Sequence, residues 1–382
     1  MPNDPSRPSR QPTDRHSSAR RVRRLVRAEL LRRLVPPVPL DDGGTTATAE
    51  LVAEGEPWGP TTLEGLPLEA EAIGVRSVPT ATPPVRAWSL PDALVAPANG
   101  IVLSGRSRRI VSESVNTGAE SLNSGQAQDH LLRRMARLRP SPASGTSSLL
   151  FSPGRNYYHS LVDNLARVCA FGLPPLASTH VEILFNGPLT PVEQQVLDRL
   201  RPANVSLRPL SSAGLVRAEH LVLPSFPAWR YSGWLPPWYR DRLRDAFVPD
   251  RPPRRSERVY IVRRGSRSLT NERELLERLD RHGFRPVELE TMSFLQQVEL
   301  FYDAEAVVAA HGAGLTNLLF ANQALVVEIS PTPFVFPHYA LMSLSLGHHH
   351  RFVFGTRGTR WEEFAPDVSA VEHELVEGLG AR

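Results

Sequence analysis

Two α/β units in tandem are what the chain predicts, and three observations predict them. Short apolar segments alternate with helical patterns from Leu149 to Phe247, and again more regularly from Arg258 to Ile329. Such alternation marks helices layered on a sheet. Between the two runs, Val248 to Ser256 (VPDRPPRRS) carries prolines that disfavour helix and reads as an interdomain linker, centred on 249–256. Finally, Glu305 to Pro331 (EAVVAAHGAGLTNLLFANQALVVEISP) reads as strand, glycine turn, short helix and strand, which is one βαβ unit.

Taken in order, residues 1–84 are expected to be leader and linker. The first 19 or so are rich in Pro, Ser, Asp and Arg and are expected to be disordered. Arg20 to Val35 (RRVRRLVRAELLRRLV) places Val22, Leu25, Val26, Leu30 and Leu34 along one side of a basic helix. A solvated leader is the first reading of it, and peripheral contact with an anionic membrane the second. Pro36 to Pro84 reads as irregular.

The first unit, 85–248, offers strands at Gly100–Leu103, Arg109–Val111, Leu149–Phe151, Val181–Phe185 and Val216–Leu223. Helices are expected over Tyr157–Phe171, from the capping box Thr190-Pro-Val-Glu193 to about Arg201, and over Tyr239–Phe247. The second unit, 257–365, begins with a strand at Arg258–Val262 and a basic loop, Arg263–Thr270. Asn271 is expected to cap a helix that Gly283 ends. A strand at Pro286–Leu289 and a helix opened by Ser293 and Gln296 lead to the βαβ unit, its strands at Ala306–Ala310 and Leu325–Ile329. One more strand is expected at Arg351–Phe354, and a last helix within 366–382 that crosses back to the first unit. Such a doubly wound sheet binds ligands beyond the carboxyl ends of its strands.

Composition excludes several classes. The chain has 382 residues, one cysteine and, with no lysine, an all-arginine set of 44 cations. The single Cys169 rules out an intramolecular disulfide and a cysteine-rich metal site. The basic excess before residue 36 describes a tail rather than a nucleic-acid groove, so no nucleic-acid partner is expected. With no long apolar run and no signal-peptide core, a cytoplasmic protein is expected.

Three places carry candidate chemistry. His311-Gly312-Ala313-Gly314 lies between strand and helix, where backbone approaches a ligand closely and helix N–H groups favour an anion. Arg263 and Arg267 follow the first strand of the same unit, at the same sheet edge, and arginine forks suit phosphate oxygens. In the first unit, Asn156-Tyr-Tyr-His-Ser-Leu-Val-Asp163 puts His159 and Asp163 four apart on one helix face, both taken as exposed. Such a pair can deprotonate a hydroxyl; Asp163 is the expected base, being already ionised at neutral pH, with His159 its neighbour and substitute.

The segment from Val259 to Pro331 resembles glycosyltransferase family 61. The resemblance rests on Arg263 and Arg267 after the first strand, Asn271-Glu272, Ser293-Phe294 with Gln297, His311-Gly-Ala with Leu315 and Asn317, and Val327-Glu328; Asn156 with His159 and Asp163 resembles an upstream motif. It implies a GT-B-like fold, two Rossmann-type domains facing across a cleft, and an inverting transferase taking its sugar from a nucleotide sugar, expected to be the UDP form, for a glycan or other hydroxyl acceptor, as in capsule synthesis. It implies donor contacts at Arg263, Arg267, Asn271, His311, Gly312, Ala313, Gly314, Leu315, Thr316 and Asn317, with acceptor contacts at Asn156 and Tyr157. Glu328 is expected to accept from ribose hydroxyls. No Asp-x-Asp occurs in the chain, which agrees with metal-independent chemistry, so no metal and no cofactor beyond the nucleotide sugar is expected. A non-catalytic sugar-nucleotide-binding protein of a polysaccharide assembly system is the alternative. A hydrolase lacks a Gly-x-Ser-x-Gly elbow.

Overall fold

The computed structural model describes residues 48–54, 84–96, 100–105, 110–111, 114, 139–150, 156–210, 214–227, 233–332, 337–357 and 362–381. Arg20–Val35 and Arg109 lie outside the described residues. Two sheets organise the chain. The first contains β1 (Thr48–Ala53), β2 (Val85–Ala96), β3 (Ile101–Leu103), β4 (Ser141–Leu149), β5 (Val181–Asn186), β6 (Val205–Leu210) and β7 (Val216–Pro224). Its order is β1-β2-β7-β4-β5-β6, with β3 on β2; β7, β4, β5 and β6 run parallel, and β2 pairs antiparallel with β7. Thr48–Ala53 thus departs from the irregular leader expected over 1–84: it is a strand because its neighbour, β2, begins at Val85 and offers it an edge.

The second sheet is all parallel: β8 (Glu257–Ile261), β9 (Arg285–Val287), β10 (Ala304–Ala310), β11 (Leu325–Thr332) and β12 (His349–Arg357), in the order β12-β11-β10-β8-β9. Central parallel strands are covered on both faces and read as apolar runs. β10 is buried at every position but Glu305, and β11 at every position but Thr332. That burial makes Glu328 and Ser330, both without exposed surface, polar exceptions in an apolar strand.

Helices fill the layers. A π-helical turn at His159–Asn164 runs directly into the α-helix Leu165–Cys169 (together α1). Next come α2 (Pro191–Leu200), α3 (Pro237–Phe247), α4 (Glu272–Arg281), α5 (Phe294–Tyr302), α6 (His338–Leu346) and α7 (Val368–Gly380). Both capping boxes form, Thr190 with Glu193 and Ser293 with Gln296. Asn271 does not cap α4 with its side chain; its amide donates instead to the carbonyl of Pro366 at 3.2 Å, tying the C-terminal segment to the loop after β8. The last helix does not cross back to the first sheet: Val368, Val371 and Leu375 join the core under β11, and Glu372 holds Arg278 of α4 and His282 just after it.

The two units share apolar core. Phe294 of α5 is the meeting point, its ring 5.1 Å from Phe247 of α3, 5.7 Å from Phe320 and 6.5 Å from Tyr157. Aromatic pairs in such edge-on geometry add to the burial of their area. The linker is clamped as well, since both Arg251 terminal nitrogens lie 2.7 Å from the oxygens of Asp303. Gly233 allows a further contact: at φ 95° it lies against the carbonyl of His338, where any Cβ would come within 1.7 Å.

Candidate active site

In open parallel sheets, ligands bind beyond the carboxyl ends where strand order reverses. The second sheet reverses between β8 and β10. Arg263 follows the end of β8, and His311 follows the end of β10. The first sheet reverses between β4 and β7, and the chain leaving β4 turns into α1 with His159 at its start. Each candidate group therefore sits at the reversal point of its own sheet.

On the second sheet the glycine turn and the arginine are fitted to each other. Gly312 is extended, and a Cβ there would lie 1.7 Å from an Arg263 terminal nitrogen, so glycine is what lets the guanidinium cover the turn. Arg263 donates from Nε to the carbonyl of Ser266 at 2.6 Å. Burial lowers its pKa, opposed by Tyr339 and Glu290. Arg264 points elsewhere and pairs with Glu272 at 2.9 Å and Glu288 at 2.8 Å. Arg267 is held left-handed at φ 65°, rare for a long side chain, and interacts with His338 and Tyr339. Residues Ala313–Phe320 form a 3-10 helix rather than an α-helix. Leu315, Thr316 and Asn317 have no exposed surface, and of the turn 311–314 only Ala313 and Gly314 are partly exposed.

Glu328 corrects its expected role. It is fully buried, Oε1 accepts from His311 Nδ1, and Oε2 lies 3.0 Å from His350 Nε2. Burial pushes its pKa up, but the two imidazoles outweigh that and hold it at about 2. The carboxylate thus orients His311 and does not face a ribose. His311 packs its ring 5.2 Å from Tyr339 and 6.1 Å from His338. Burial, then the charge of His311, pushes His338 down to about 3.

The first-unit pair forms as expected but in a different order of exposure. His159 Nδ1 donates to Asp163 Oδ2 at 2.6 Å; the His159 side chain is 21% exposed and that of Asp163 only 1%. Asp163 therefore stands behind the histidine, not beside it at the surface, and both lie in the π-helical turn. π-Helical turns inside helices are often found at functional sites. Arg167 extends the line inward. It is buried, and desolvation lowers its pKa to about 10 against the opposing charge of Asp163. Asn156 accepts from the His159 backbone N–H at 2.9 Å and so starts the helix. Tyr157 spends its hydroxyl on Asn317 Oδ1 at 2.6 Å, and Asn317 Nδ2 donates onward to Gln297 at 2.9 Å.

Tyr158 joins the two halves. Its ring is 5.3 Å from that of His159, 5.5 Å from that of His338 and 5.9 Å from that of Tyr339. One surface thus carries a histidine backed by a carboxylate from the first unit, and arginines with a glycine turn from the second. Residues 157–327 match the Glycosyltransferase 61 family model. The Glycosyltransferase 61 match encloses His159, Asp163, Arg263, Arg267 and the glycine turn, with Asn156 and Glu328 one residue outside its ends. A second similarity is to the EGF domain-specific O-linked N-acetylglucosamine transferase of Drosophila melanogaster, 35% identical over 88 residues, which are 22% of this chain and 17% of that protein. Both similarities are to glycosyltransferases. His338, Tyr339 and His350 carry no motif. The strand that carries His350 was expected from the sequence at Arg351–Phe354, though not its pairing with β11, and nothing in the sequence marked α6.

Proposed function

We propose that the chain is an inverting, metal-independent glycosyltransferase with a GT-B-like arrangement, moving a sugar from a nucleotide sugar, UDP-linked, to a hydroxyl acceptor on a glycan or other surface polymer. Support comes from the juxtaposition through Tyr158 of a His–Asp pair on one sheet's reversal point with an arginine-covered glycine turn on the other's. His159 is the base in this reading and Asp163 orients it, the reverse of the sequence expectation, because the exposed member of the pair is the one that can reach a substrate. The acceptor hydroxyl gives its proton to His159 while its oxygen attacks the anomeric carbon. The bond from that carbon to the diphosphate oxygen breaks, and its electron pair leaves with the diphosphate. Arg263, Arg267 and the backbone of 312–314 meet the charge that develops there, as fixed donors do in other sites. The fly relative is named for N-acetylglucosamine, which makes that sugar the first donor to try. Capsule or exopolysaccharide assembly is the cellular setting proposed.

The test is a thermal-shift panel of nucleotides and nucleotide sugars on the full chain, followed by release of free nucleotide from whichever sugar donor stabilises it. Stabilisation by a nucleotide sugar and its nucleoside diphosphate is expected. Silence across the panel contradicts the proposal.

A further inference from the structure

At the opposite edge of the second sheet from the candidate active site lies a cationic cavity of about 460 Å³. It opens where α3 of the first unit, the linker, the turn before β11 and the end of α6 come together, and its lining includes Arg240, Arg244, Arg255, Gln323 and Ser345. Arg255 stands just before β8 and Gln323 just before β11, so the cavity faces the amino ends of the strands. Arg263 and His311 follow the carboxyl ends. One strand of five residues, roughly 16 Å, separates the two edges. Sugar transfer as described leaves this cavity unused.

The three guanidiniums differ in how far the fold employs them. Arg244 is structural: its terminal nitrogens donate to the carbonyls of Leu319 at 2.6 Å and Ala321 at 3.0 Å and to Asn322 Oδ1 at 2.7 Å, closing the end of the 3-10 helix. Arg240, one turn earlier on α3, spends Nε on Asp241 Oδ1 at 2.7 Å, and its terminal nitrogens make no hydrogen bond among the described residues. Arg255 brings one terminal nitrogen to the carbonyl of Gln323 at a long 3.4 Å. Like charges four apart on a helix repel, and nothing in the lining offsets Arg240 and Arg244 but Asp241, the single carboxylate among its described residues. Arg255 and Gln323 are both left-handed, at φ 51° and 47°, a backbone uncommon outside glycine that clusters at ligand clamps. Donors in excess around a cavity of small-molecule size select an oxyanion. We infer that this cavity binds a phosphate group, free or as the ester of a small polyol, between Arg240 of α3 and Arg255 of the linker. Gln323 and Ser345 place an amide and a hydroxyl beside it for the hydroxyls of such a polyol. The site is independent of the nucleotide site proposed above.

The experiment is calorimetric titration of glucose 1-phosphate, with inorganic phosphate and glucose alongside, into the full chain at fixed low ionic strength. Saturable binding of a phosphate species and none of glucose is expected, and the tighter of the two phosphates names the source. The double variant Arg240→Gln, Arg255→Gln is expected to weaken binding about tenfold or more, since both charged donors are lost. Arg263→Ala is expected to retain the site, and Arg254→Gln, at an exposed neighbour in the linker, to leave it unchanged. Arg244 stays in place throughout because it holds the 3-10 helix. Thermal unfolding without ligand checks the double variant, and the two single variants, each expected to bind severalfold more weakly, carry the test if it is destabilised. No saturable binding, equal binding of glucose, or a loss in Arg254→Gln as large as in the double variant overturns the inference. Binding that Arg263→Ala removes and the double variant keeps belongs to the nucleotide site and overturns it as well. The glycosyltransferase reading stands in each case.

Discussion

Arg263 and Arg264 are neighbours in sequence with opposite fates. Arg263 lies over Gly312 and spends one nitrogen on a loop carbonyl, whereas Arg264 is 66% exposed and held by Glu272 and Glu288. If Arg263 binds the diphosphate, Arg263→Ala is expected to weaken UDP binding by about 1.5–3 kcal/mol, roughly ten- to a hundredfold, with little change in Arg264→Ala. Gly312→Ala is expected to imitate Arg263→Ala, since the new methyl occupies the guanidinium's place. Comparable losses from Arg263→Ala and Arg264→Ala in a binding titration would show diffuse charge instead. Glu328 carries a stability prediction. Its folded pKa of about 2 is below the ordinary carboxylate value, so its contribution is complete above about pH 4.5 and is lost as pH falls toward 2. The contribution is about 3 kcal/mol at most. Denaturant titration should therefore show a larger deficit for Glu328→Gln at pH 7 than at pH 3, and equal deficits would remove the charge from the explanation.

At the scale of elements, α1 and the 3-10 helix are coupled across the two units. The Tyr157 hydroxyl meets Asn317, which reaches Gln297 of α5. Tyr157→Phe leaves the buried Asn317 oxygen without that donor, so a loss of about 1–3 kcal/mol is expected. A double-mutant cycle with Asn317→Ala should return a coupling of about 0.5 kcal/mol or more, and additive losses would mean the two helices are independent there. At the start of α1, His159→Ala is expected to abolish single-turnover transfer, while Asp163→Asn lowers it and retains nucleotide affinity. Near-native turnover in His159→Ala with loss in Asp163→Asn would return the base to the carboxylate. The helix itself was legible, since Tyr157–Phe171 has the apolar spacing of one, but its π turn was not. A six-residue π segment leaves the apolar pattern nearly unchanged, and within it Asp163 is buried while His159 is not. Both capping boxes and the parallel strands from β8 to β11 were legible because side-chain oxygens at fixed offsets and unbroken apolar runs are local signals. β1, β6 and α6 were not, for their formation depends on a neighbouring edge or face that only the folded chain supplies.

Across the whole molecule, the two sheets meet on shared aromatic core around Phe294, with the linker clamped by Arg251 and Asp303. A cleft between two separate domains was the expectation; much of the contact between the units is instead filled, and the candidate site occupies the part where Tyr158 stands between His159 and His338. No helix among the described residues is long and apolar enough to cross a membrane. The central proposal for the molecule is a nucleotide site made of protein cations at the reversal point of the second sheet. Its most direct test is titration of UDP into the full chain and into Arg263→Ala, each with and without EDTA. Binding by the full chain that EDTA leaves unchanged and Arg263→Ala weakens at least tenfold is the expected result. Binding that EDTA abolishes, or that Arg263→Ala leaves intact, would contradict it.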